Sequence, residues 1–427
     1  MAVAEVSPPA QRVRFSWILS PKKDLTFYIG SALAGWAYLA LILWAVRRLE
    51  DPLRDPLATL ELGGLAIPLT LELLVIASWA LILDAPHVWA TLARTLFDTD
   101  EWQVRGREIR FSFVWFAVGP AAILAPYLLA AVGRPLGLEL APARLALGAV
   151  VFFVFFRLWA YYHVVRQHWG FFQLYKRKAD DFGPEVDRID YWFFNLTFYM
   201  PLVMFMTSVF YASTPGFPDL GLRRPLVGEW SIGSVVYPAA WAVYLGVLVV
   251  YLAHLWRRWR AGATLNGSKL MYMLPLIPLH FAAFSHPILA VFIVPLVTVG
   301  HNIQYHCIVY TYARNKYGNE PRPAFAWARR LFSSFWAYAA AGLLFTLIFY
   351  KGPVIEWFKG VSSGRLDNGL FNALGMMAGV RDPAALGLGE QVMAALIVGF
   401  AMQHYYLDSK IWRVRKDEQV RKYLKVE

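Results

Sequence analysis

The sequence predicts an all-α fold, a polytopic transmembrane helix bundle with about ten crossings and both termini in the cytoplasm. Three observations predict it. First, 58% of the 427 residues are apolar and only 16% are charged, against about 45–50% and about 25% in a soluble domain. Second, the apolar residues fall in blocks of about 20, the length that crosses one bilayer as a helix. Third, Lys and Arg alternate between rich and poor loops, as expected when basic residues are retained on the cytoplasmic side.

In chain order the blocks place crossings at 25–46, 63–84, 111–132, 142–165, 191–213, 233–256, 269–284, 287–311, 331–350 and 389–412. The seventh is short, and Phe284-Ser285-His286-Pro287 breaks it from the eighth, because proline lacks the amide donor and disfavours helix in the residue before it. Segment 366–380 is apolar but short and glycine-interrupted, which reads as an interfacial or re-entrant piece. The loops on one side hold 29 of the 41 basic residues and those on the other hold 11, with Arg157 inside the fourth crossing. An odd number of crossings would scramble that alternation. The expected organisation is a cytoplasmic segment 1–24, one transmembrane domain 25–412 and a basic cytoplasmic tail 413–427. A bacterial-type inner membrane suits this multi-pass pattern.

The net charge of +12 lies largely beside apolar runs such as Lys176-Arg177-Lys178 and suits anionic headgroups rather than nucleic acid. Cys307 is the single cysteine, so disulfide frameworks and CxxC sites are excluded. The first 24 residues lack an apolar stretch followed by a small-residue cleavage site, so no removable signal is expected. There is no Walker A loop, strand-linked GxGxxG, GxSxG elbow or HExxH, which leaves ATP-driven transport, dinucleotide binding and zincin proteolysis without support.

The histidines carry the chemistry. Of nine, seven fall at the cytoplasmic level of separate predicted helices; His280 and His286 lie near the outer break, and for these two and His254 the expected role is anchoring or a satisfied hydrogen bond. His87, His163, His168, His301, His306 and His404 form the candidate metal set, since ionisable groups at membrane depth are costly and usually face an interior site. Helical spacing gives four of them a polar neighbour on the same face: Asp84 with His87, Gln167 with His163, Gln304 and Tyr305 with His301, and Asp408 with His404. Such neighbours orient a metal-bound imidazole, and imidazoles without thiolates suit iron, copper or zinc. His163/His168 and His301/His306 are five residues apart, about 140° of rotation on a regular helix, so one of each pair must face elsewhere or serve a second ion. Phe152, Phe153, Phe155, Phe156, Trp159, Tyr161 and Tyr162 lead into His163 and could line a pocket or face lipid. Arg157 is a candidate partner for Asp84 or for a substrate headgroup.

The segments HVVRQH and HNIQYH, with histidines spread over several helices, resemble membrane-embedded non-haem iron enzymes. Similarity to the Brp/Blh-like β-carotene-cleaving dioxygenases implies one iron held by His87, His163, His301 and His404. Fatty-acid desaturases and hydroxylases hold two irons with HxxxxH and HxxHH boxes; this chain has two HxxxxH elements and no HxxHH, which counts against an ordinary desaturase. The expectation is therefore an iron-dependent membrane oxygenase with one or two ions, using O₂ on a lipophilic substrate such as a lipid or carotenoid, with Asp84, Asp408, Gln304 and Tyr305 assisting. The alternatives are a proton-coupled transporter or channel using the histidines as a relay, favoured by Pro275, Pro278 and Pro287, and a b-type haem protein.

Overall fold

The computed structural model describes residues 12–137, 142–214, 217, 219–318, 320–349, 387–414 and 416–425. The short strand β1 (Val13–Arg14) leads into helix α1 (Pro21–Arg48). The hairpin β2 (Ala58–Leu62) and β3 (Leu65–Leu69) precedes α2 (Glu72–Thr95). Then follow α3 (Thr99–Ser112), α4 (Trp115–Gly133), α5 (Leu147–Lys178), α6 (Pro184–Thr207) and α7 (Ile232–Arg260). After β4 (Leu265–Asn266) come α8 (Gly267–Ala283), α9 (Pro287–Val291) and α10 (Ile293–Tyr317). The remaining described helices are α11 (Ala326–Ser333), α12 (Phe335–Phe349), α13 (Leu388–Ile411) and α14 (Glu418–Leu424).

The protein is mostly helical, and five segments are long and apolar enough to cross a membrane: Pro21–Arg48, Glu72–Thr95, Thr99–Leu136, Leu147–Lys178 and Ile232–Arg260. Helices also lie at the other expected crossings. Two of these, α8 and α12, are shorter, and α6, α10 and α13 mix polar with apolar residues. That mixture follows from position, since a helix enclosed by other helices meets protein rather than lipid. Buried residues of α10 run almost without interruption from Ile293 to Gln304. Close approach of α1 to α8 and α10 depends on Gly35, where an added Cβ would lie 2.5 Å from Leu279 Cδ2 and 2.7 Å from the Leu296 carbonyl. Small residues at such crossings let backbones touch.

One expected boundary moves. The apolar run 63–84 was read as a crossing, but its first part is the second strand of a hairpin that turns on Gly63 and Gly64, both at positive φ (56° and 82°). Glycine tolerates that region and most residues do not. The helix begins at Glu72 and runs on to Thr95, so His87 sits well inside it. Over Glu72–Ala77 and Trp79–Asp84 the turns are widened to i→i+5 hydrogen bonding, a feature frequent at functional sites. The break between the seventh and eighth expected crossings lies where proline placed it: α8 ends at Ala283, and the His286 side chain caps α9 by accepting from the Ile288 amide. Segment 366–380 lies outside the described residues.

One end of the bundle is tied by charge. Lys176 binds Asp187 and Asp190 at 2.6 Å each, and Lys269 binds Asp181 at 2.6 Å and Asp190 at 2.9 Å. Burial works against ionising Asp181, yet Lys269 and Arg258 hold its carboxyl below the usual range. At the same end β1 pairs in parallel with β4, Lys178 donates to the Lys425 carbonyl, and Asn315 on α10 donates to the Tyr423 carbonyl of α14. The expected free basic tail is therefore a docked helix, with Val420 and Leu424 buried.

Candidate metal centre

Four imidazoles from four helices meet inside the bundle: His87 on α2, His163 on α5, His301 on α10 and His404 on α13. Ring centroids are separated by 4.4 Å for His87 and His404, 4.9 Å for His87 and His301, 5.0 Å for His163 and His404, and 5.8 Å for His163 and His301. One ligand nitrogen from each of His87, His163 and His301 lies within 4.8 Å of the other two, and the same holds for ligand atoms of His163, His404 and Asp408. All are buried.

A carboxylate organises one side of this group. Asp408 Oδ1 accepts from the Thr91 hydroxyl at 2.8 Å and the Tyr305 hydroxyl at 2.7 Å, and Oδ2 accepts from the Gln167 amide. Thr91 thus gives its proton to Asp408, and its oxygen receives the N–H of His404 Nδ1 at 2.6 Å. A neutral imidazole protonated at Nδ1 presents a lone pair at Nε2. That atom is buried and, among the described residues, has no hydrogen-bond partner. The Gln167 amide nitrogen also lies 2.9 Å from His163 Nε2, and Trp412 Nε1 donates to the Tyr305 oxygen at 3.3 Å. Trp412 is held in turn by Arg94, whose guanidinium lies 4.2 Å from both the Tyr312 and Trp412 rings. His87 Nδ1 and both nitrogens of His301 are likewise buried without partners. A buried polar atom left unpaired costs about 1–3 kcal/mol, so this concentration of bare imidazole nitrogens marks a place built to receive a ligand.

Each five-residue histidine pair divides, as the helical rotation requires. His306 turns away from the four: its Nε2 donates to the Leu83 carbonyl at 3.4 Å and its Nδ1 accepts from the Tyr338 hydroxyl at 2.8 Å. Both nitrogens are occupied. His168 packs instead beside His280, ring centroids 5.5 Å apart, with His168 5.9 Å from His301. The Gln304 amide nitrogen is committed to the Tyr28 carbonyl and Ser31, so its oxygen accepts from Tyr272, whose own oxygen receives the His168 Nδ1 proton at 2.8 Å. Tyr161 likewise donates to the Phe198 carbonyl and lies 3.2 Å from His280 Nδ1. Both His168 and His280 are thereby left with an unpartnered Nε2. His280, expected to anchor or to have a satisfied hydrogen bond, is fully buried; His254 Nδ1 lies 3.5 Å from Glu185, while its Nε2 also lacks a partner among the described residues.

Two of the assisting residues, Asp84 and Gln304, are placed differently from expectation. Asp84 does not bind His87: Asn302 donates to it at 3.3 Å. Asp84 ends the widened turn, so the regular three-residue spacing assumed for the pair does not hold across it. Gln304 orients the Tyr272–His168 link rather than His301. Arg157 lies over the Phe217 ring at 5.1 Å, beside a small apolar cavity. Tyr305 and Asp408 do reach the centre. Thr91 was not singled out by sequence reasoning; its signal was its position one turn after His87.

A cavity of about 570 Å³ opens from His163, Gln167, Tyr305 and Asp408 between α5 and α13. Of the aromatic run before His163, Trp159 and Tyr162 line it, while Phe152, Phe153 and Phe156 pack into the core. Compared with protein-family models, curated proteins and solved structures, the chain matches none, and its functional reading rests on this geometry.

Proposed function

We propose that the chain is an integral membrane, histidine-ligated metal enzyme, a non-haem iron oxygenase acting on a lipophilic substrate. The observation that carries the reading is the convergence of His87, His163, His301 and His404 with Asp408, in a hydrogen-bond order that leaves ligand nitrogens bare. Neutral imidazoles with a carboxylate suit iron, copper or zinc. When bound, iron supplies the chemistry toward O₂, and the chain's part is binding and orientation. Thr91 and Asp408 hold the His404 ring, Gln167 links His163 to the same carboxylate, and the aromatic cavity brings substrate to their edge. Each of the four rings has two of the others within 6 Å, which disfavours the haem alternative, since a macrocycle must lie between its axial rings.

The fitting topology has ten crossings in a plasma-type membrane, with both termini cytoplasmic. The basic-residue split supports it, as does the docking of both terminal segments on the same end of the bundle; a C-terminal reporter active only outside would refute it.

Metal analysis of the purified protein tests the function. Non-haem iron at one or two per chain is expected. His404→Ala should lose the metal of the four-histidine centre, and Asp408→Asn should weaken binding about 10–100-fold. Absence of transition metal in the wild type, or full retention in His404→Ala, overturns the reading. Loss of transport with no metal in any variant would instead favour the relay alternative.

A further inference from the structure

The cavity beside the metal centre continues into a second, of about 800 Å³, with Trp169, Gly170, Leu174, Trp412 and Val414 lining both. The inner cavity is walled largely by aromatic rings, carries Arg166 and Ser409 on its lining, and reaches His163 and Asp408. The outer one carries Arg177, Arg413 and Lys416. Its one carboxylate, Asp187, is already bound by Lys176 at 2.6 Å. The Arg413 Nε donates to the Ser409 carbonyl at 3.0 Å, which fixes this cation at the end of α13.

Gly170 stands at the junction. It lies inside α5, where glycine is a poor helix former, and a Cβ built there meets nothing within 4 Å. No neighbouring backbone needs the glycine, and its φ is not positive. Gly170 is exposed and lines both cavities, so a large side chain there would project into the space they share.

We infer that the joined cleft is the binding site of a single-chain anionic amphiphile, its carboxylate or phosphate head against Arg177, Arg413 and Lys416 and its apolar chain passing Gly170 toward His163 and Asp408. Charge selects the head, and the aromatic walls accept the chain without demanding hydrogen bonds from it. This rests on the proposed function for its meaning, but binding can be measured without turnover.

The test uses the full chain in phosphatidylcholine nanodiscs, with radiolabelled oleate, single-chain lysophosphatidate and oleyl alcohol as probes, and metal content determined on the same samples. Wild type should bind at least one of the two anions about tenfold or more tightly than the alcohol, and the preferred anion identifies the head. Gly170→Phe should weaken all three probes about tenfold or more while metal content and melting temperature stay at wild-type values. The double variant Arg413→Glu with Lys416→Glu should remove the preference for anions and leave the alcohol unchanged. Equal binding of anions and alcohol by wild type, or unchanged binding in a folded Gly170→Phe, overturns the inference. Retained binding with no metal would sink the oxygenase reading and leave this one standing.

Discussion

Replacing Thr91 by valine exchanges a hydroxyl for a methyl of similar size, and among the described residues that hydroxyl is the hydrogen-bonded link between His404 Nδ1 and Asp408. Without it the His404 Nδ1–H loses an acceptor 2.6 Å away. Asp408 loses the 2.8 Å donor but keeps Tyr305 and Gln167. One buried N–H left unpaired costs about 1–3 kcal/mol, and this is the expected loss of stability. The imidazole can recover part of that by inverting its tautomer, which places the proton on Nε2 and withdraws the lone pair from the centre. Metal affinity should therefore fall about 10–100-fold, the range for removing an outer hydrogen-bond partner of a ligand histidine. The assay is competition with a chromogenic chelator on purified protein, with thermal melting in parallel. Thr91→Ser keeps the hydroxyl and should restore near wild-type affinity. A valine variant that melts lower but binds metal as tightly as wild type would refute the tautomer argument.

Two further outcomes follow from the packing. His306→Phe should keep the metal content of wild type and lose about 1–3 kcal/mol of stability, because both of its nitrogens serve Leu83 and Tyr338; metal loss on that substitution would return His306 to the ligand set. Gly35→Val forces side-chain atoms into Leu279 and the Leu296 carbonyl and should cost about 1–3 kcal/mol or more by overpacking; an unchanged melting temperature would show that α1 can move off α8 and α10.

The four converging histidines were legible because depth and orientation can be counted from apolar blocks and basic loops, and because a buried imidazole is too costly to be incidental. Their partners were less legible. Helical spacing places Asp408 on the face of His404 one turn later, and the structure adds that the approach to Nδ1 is 3.6 Å with the hydrogen-bonded link running through Thr91. Threonine is common inside helices, and only a contact between α2 and α13 distinguishes this one. Asp84 was misassigned because the helix widens just before His87, which no residue pattern announces. Gln304 shares a face with His301, but its amide is claimed by Tyr28 and Ser31 on α1, a long-range contact invisible to spacing. The turn and second strand of the hairpin, residues 63–69, fall inside the expected crossing 63–84 because Leu65–Leu69 is apolar enough to extend the run that follows it.

The distribution of ligands along the chain sets an order of assembly. His87, His163 and His301 enter the membrane in turn, but His404 and Asp408 both belong to α13, which is synthesised after every other helix of the centre. Until then Tyr305, Thr91 and Gln167 point their protons at an acceptor that does not yet exist, and His301 has neighbours on two sides of a ring still open on the third. The nascent bundle is thus held with a polar, incompletely closed interior facing the insertion machinery. On the proposed metal reading, the site lacks His404 and Asp408 until α13 arrives, so a complete ligand set requires the last of the four helices.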